Sequence, residues 1–161
     1  MKSLIVYSSQ TGNTRKLAQA VFDALTGEKD IFPIDEAPDP SGYDFFAVGF
    51  WLKGGKPVPE SMEYLSKIKG KSLFLFATHG ASAGSMHVHK AMDYAKDSVE
   101  DAKFVGTFSC QGEMSPDVIE KIQSRTDPPE WFSDAPKAKG HPNETDIEEL
   151  KRLIVNIEST L

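Results

Sequence analysis

The chain's densest hydrogen-bonding chemistry lies between Tyr7 and Lys16, in the stretch YSSQTGNTRK. Six hydroxyl or amide side chains (Ser8, Ser9, Gln10, Thr11, Asn13 and Thr14) surround one glycine, Gly12, between the apolar run Leu4-Ile5-Val6 and a helical pattern. The head of a helix presents outward-pointing N–H groups and the positive end of the helix dipole, so such a stretch suits an anion. It is not GxxxxGK[ST]: no lysine is placed for a β- or γ-phosphate, and no carboxylate stands ready for magnesium. Nor is it GxGxxG, whose repeated glycines admit a pyrophosphate. What remains fits a terminal monophosphate, held by the hydroxyls of Ser9, Thr11 and Thr14, the amides of Gln10 and Asn13, and main-chain N–H groups. Gly12 allows close backbone approach. A well-capped helix start is the plainer reading of the same letters.

These residues need a strand before them and a helix after. Ser3–Tyr7 is a nearly continuous apolar run, as expected for a strand covered on both faces. Leu17, Ala18, Val21, Phe22 and Leu25 then fall at helical spacing, and Thr26-Gly27 stops the helix. A weaker strand over 30–34 contains Pro33, which places it at an edge or a strand end. The middle of the most hydrophobic segment, YDFFAVGFWL over 43–52, predicts a buried strand, and the segment ends in the loop Lys53-Gly54-Gly55-Lys56-Pro57. A short helix over 61–68, a strand over 72–77, the loop THGASAGS over 78–85 and a helix over 86–99 follow. A last strand over 103–108 closes on Ser109-Cys110-Gln111-Gly112, and a helix runs over 116–123. Residues 125–143 carry four prolines and no period, and read as an ordered arm, because Trp131 and Phe132 need somewhere to pack. Asn143 or Thr145 caps a final helix to about Ser159. Strands alternating with helices give a parallel α/β sheet with helices on both faces. Its ligands bind beyond the carboxyl ends of the strands.

With 161 residues, 39% hydrophobic and 26% charged, the chain reads as one domain over 1–161 with no membrane span. The net charge of −6 argues against nucleic acid and leaves room for a basic protein partner. The single cysteine, Cys110, cannot form an internal disulfide, and with no signal-peptide pattern the expectation is a cytoplasmic protein. His87 and His89 are two apart on a helix and do not face each other, so no metal pair is expected. No base and nucleophile occupy adjacent motif positions, so no catalytic residue is assigned. The acids Glu144, Asp146, Glu148 and Glu149 suit a helix N-terminus and its exposed face.

Residue by residue, Ser9-Gln10-Thr11-Gly12-Asn13-Thr14 resembles the T/S-x-T-G-N-T phosphate loop of flavodoxins, which follows strand one and binds the 5′-phosphate of FMN. The resemblance covers most of the chain and implies a three-layer sandwich with a five-stranded parallel sheet in order 2-1-3-4-5. It also implies that Trp51 stacks against one face of the isoalloxazine, with Leu52, Lys53 and Gly54 beside it. Thr78, His79, Gly80 and Gly84 would form the second flavin loop, and Cys110, Gln111 and Gly112 would reach the flavin rim, although Cys110 reads equally as a small buried apolar residue. Two departures stand out. The second loop lacks the family's tyrosine, so that the other flavin face is open or is covered by Met86, His87 or the arm, and residues 111–143 form an insertion before the last helix.

The implied function is an FMN-binding carrier moving electrons between a reductase and an acceptor protein. The alternative is an FMN-dependent oxidoreductase reducing a quinone or another small acceptor. A third reading, a scaffold that no longer binds flavin, predicts a colourless protein. Lys53, Lys56 and His79 around the ring would favour the reduced, anionic flavin and give a less negative second potential than an acidic flavodoxin shows.

Overall fold

The computed structural model describes residues 1–161. Its central sheet is built from β1 (Lys2–Tyr7), β2 (Glu28–Pro33), β3 (Phe45–Lys53), β5 (Ser72–His79) and β6 (Lys103–Gln111), in the order β2-β1-β3-β5-β6. All these pairings are parallel. The expected order 2-1-3-4-5 is therefore found, with β5 and β6 as the fourth and fifth strands of the sequence reading. The extra element, β4 (Lys56–Pro57), folds back on the end of β3 as an antiparallel hairpin. A loop was expected there; Gly54 and Gly55, at φ 59° and 80°, supply the paired positive φ values of a tight two-residue hairpin turn.

Alternation along the strands divides the core in two. Phe46, Val48 and Phe50 of β3 and Leu73, Leu75 and Ala77 of β5 face α2 (Pro59–Leu65) and α3 (Met86–Asp97). Phe45, Ala47, Phe74 and Phe76 face α1 (Asn13–Ala24) and α5 (Glu144–Glu158), through Leu17, Ala18, Val21, Leu150, Ile154 and Ile157. Gly49 sits between these layers because a Cβ there would lie 2.1 Å from Cε2 of Phe76. The helix α4 (Pro116–Gln123) buries no residue fully, and the arm after it winds into 3-10 turns over Glu130–Ala138. No helix is long and apolar enough to cross a membrane.

The last strand is longer than its sequence pattern suggests. Thr78 pairs with Cys110 and His79 with Gln111, so the expected loop residues Ser109, Cys110 and Gln111 extend the sheet. The reason is cooperative: β5 continues to His79, and its edge recruits whatever backbone lies beside it, independent of side-chain pattern.

Candidate functional site

One cavity of about 270 Å³ opens where β1, β3, β5 and β6 end. Ser9, Gln10, Thr11, Asn13 and Thr14 line it after β1, Trp51, Leu52, Lys53 and Gly54 at the end of β3, and Thr78, His79 and Gly80 at the end of β5. Gly112 joins them after β6. Most of the expected site residues thus share one concave surface.

The first loop is shaped by Gly12, the residue before α1, at φ 92°, a conformation that disfavours side-chain-bearing residues. Ser9 Oγ accepts hydrogen bonds from the N–H groups of Gly12 at 3.1 Å and Arg15 at 3.3 Å, which leaves its own proton free to donate. The main-chain N–H groups of Gln10, Thr11, Asn13 and Thr14 have no acceptor within the protein. Four unpaired donors at the positive end of a 12-residue helix form a cradle for an anion. Two of the expected phosphate side chains are already engaged. Asn13 Nδ2 donates to the Glu113 carbonyl at 2.8 Å, and Thr14 Oγ1 shares a 3.0 Å hydrogen bond with Thr78 Oγ1, with Thr14 1% and Thr78 3% exposed. These contacts brace the loop against β5 and the segment after β6.

His79 is 5% exposed, and burial pushes its ring down to about 4, so it is neutral near pH 7. Its Nδ1 lies 2.9 Å from the Ala81 carbonyl oxygen, which fixes the proton on Nδ1 because a carbonyl only accepts. Nε2 is then an acceptor, and it is buried with no partner. His79 therefore adds no positive charge to the site, contrary to the sequence expectation. Lys56, also expected to charge the rim, lies with Nζ 5.2 Å from the Tyr94 ring and does not line the cavity. The cavity's cations are Lys53 and Arg125, with Glu113 as its acid.

Four expected residues lie outside the cavity lining. Gly12 acts through backbone geometry. Gly84 has open space around it and does not border the cavity. Cys110 is 4% exposed within the core layer under α1 and α5, where burial pushes its thiol far up; its place is structural rather than at a ligand rim. Gln111 Nε2 donates to the carbonyls of Gly80 and Asp134, both at 3.3 Å, tying the second loop to the arm.

The sequence reading offered the arm only as one possible cover of the ring and assigned to the site none of its residues beyond Gly112. Glu113, Met114, Ser115, Val118, Ile122, Arg125, Pro129 and Trp131, from α4 and the arm, complete the cavity. Val118 and Ile122 are four apart and share a helix face, a signal the sequence did hold. Trp131 reaches the site from a segment without period.

A doubly wound parallel sheet, with four loops gathered around an anion-accepting helix head, defines an α/β protein that binds its ligand at the topological switch point. The chain belongs to the flavodoxin family: residues 4–155 match the family described as flavodoxin domain. It is 29% identical over 169 aligned positions, 98% of this chain and 96% of the relative, to the flavodoxin-like domain-containing protein BilS of Clostridioides difficile strain CD3. Among solved structures, oxidised flavodoxin 2 from Bacillus cereus superposes with a TM-score of 0.62 at 18% identity, covering 100% of both chains. A flavoprotein from Lactobacillus acidophilus NCFM in complex with FMN gives a TM-score of 0.53 at 17% identity, over 67% of this chain and 92% of that one. At such identities these structures speak for the fold.

Proposed function

We propose that this chain binds FMN and carries electrons between redox partner proteins, one donating and one accepting. The observation that carries the reading is the meeting, in one cavity, of the unpaired N–H cradle at the head of α1 and the Trp51 indole. Ser9, Gln10, Thr11 and the main chain to Thr14 hold the phosphate. Trp51 offers an aromatic face to the ring system, and the backbone beside Lys53 and Gly54 faces its edge.

FMN, when bound, supplies one- and two-electron chemistry, and the protein tunes it through stacking, hydrogen bonds and charge. Lys53 and Arg125 favour added negative charge in the site while Glu113 opposes it. The family membership and the FMN complex of a flavoprotein with this fold support the cofactor assignment.

The competing reading is a stand-alone oxidoreductase. The cavity lining holds a neutral histidine and no hydrogen-bonded pair of base and nucleophile, which favours a carrier. Incubating the purified flavoprotein with NAD(P)H and a quinone, with no reductase present, tests this: the carrier shows no turnover. Sustained turnover would establish the enzyme instead.

A further inference from the structure

The second loop, Thr78–Ser85, contains no Phe, Tyr or Trp, yet the cavity beside it is lined by an indole, that of Trp131. That indole comes from the arm. A Cβ built on Gly80 would lie 2.9 Å from Trp131 Cζ3, 3.3 Å from Met114 Sδ and 3.4 Å from Met114 Cε. The indole thus packs into the space that the missing side chain leaves, directly over the loop backbone. Gly80 has no positive φ, so its value here is room rather than conformational freedom.

The indole is held from several sides. Its ring centroid lies 6.2 Å from that of His87 and 6.2 Å from that of Phe132. Gln111 ties the Gly80 carbonyl to the arm at Asp134. At the far end, the Glu113 N–H donates to the His141 carbonyl at 2.8 Å, and Glu113 Oε2 accepts from the Gly140 N–H at 2.9 Å. The segment after β6 and the end of the arm are thereby closed into a loop around α4. Even so, Trp131 is only partly buried and keeps part of its surface on the cavity. Met86, an alternative cover from the sequence, is 69% exposed and does not border the cavity.

We infer that Trp131, carried by the 111–143 arm and seated on Gly80, is the second stacking ring for the isoalloxazine, in place of a side chain from the second loop. The assignment rests on the FMN reading. It makes the insertion part of the cofactor site, and a bound ring is held by two tryptophans from distant parts of the sequence, both of which line the cavity.

The test compares FMN and riboflavin affinity in full-length variants, with circular dichroism to confirm folding. Trp131→Ala weakens both ligands by the same factor, about tenfold, because the lost contact is to the ring and not to the phosphate. Trp131→Phe, which keeps a stacking face, recovers most of the loss. Gly80→Ala, which pushes the indole away without removing it, weakens both ligands in the wild-type background and adds little to Trp131→Ala. Wild-type protein that binds FMN while Trp131→Ala binds it equally well overturns this assignment and leaves the proposed function standing. Wild-type protein that binds no flavin overturns both.

Discussion

His79 shows how one side chain's environment decides its role. From sequence it reads as a rim cation, but the fold buries it at the end of β5, where desolvation holds it neutral. The unfolded ring takes up a proton near pH 6.5, and the folded one only near pH 4. Between those values the unfolded state binds more protons, so stability is fully present above about pH 6.5 and is lost as the pH falls toward 4. From pH 7 to pH 5, wild-type protein should lose about 2 kcal/mol more stability in urea unfolding than His79→Gln. An NMR titration should find the His79 ring unprotonated at pH 5, and a midpoint near 6.5 would contradict its burial as the controlling term. That the residues of TGNT and THG gather around one cavity was legible because both stretches sit at strand ends, but burial and partners were not. Thr14 and Asn13 read as free ligands, and the fold spends both side chains on bracing the loop.

Among the elements, α5 is the one whose start is written most clearly. Asn143 Oδ1 accepts from the Asp146 N–H at 3.0 Å, and Asp146 Oδ2 accepts in return from the Asn143 N–H at 2.8 Å, forming a reciprocal cap. Asp146 Oδ2 also lies 2.6 Å from His141 Nδ1, which joins the cap to the end of the arm. Asn143→Ala should cost about 1 kcal/mol or more in equilibrium unfolding, with the slope of the transition unchanged; a change within error would mean that Thr145 or the solvent replaces the cap. Helices and the central strands were readable from period and apolar runs. The extension of β6 to Gln111 was not, since it follows from the length of β5 rather than from its own residues. The β4 hairpin was hidden for a similar reason: Gly54-Gly55 announces a turn, but the return of only Lys56 and Pro57 carries no strand pattern.

Across the whole molecule, sheet order and layering followed from strand–helix alternation, but the arm did not. Four prolines and no period made residues 125–143 legible only as something ordered that had to bury Trp131 and Phe132. Where it lands depends on Gly80, 51 positions earlier in number, and on Gln111 bridging the two, a tertiary fact with no local signature. The functional surface is therefore composite: an N-terminal cradle that sequence announces, and a distal wall that only folding brings to it. Under the proposed function this composite surface is an FMN site anchored through the phosphate. The most direct measurement is a calorimetric titration of flavin-free protein with FMN and, separately, riboflavin. One FMN per chain is expected, bound far more tightly than riboflavin, with Thr11→Val and Ser9→Ala closing that gap by weakening FMN alone. No uptake of FMN, or equal affinity for the two flavins, would contradict it.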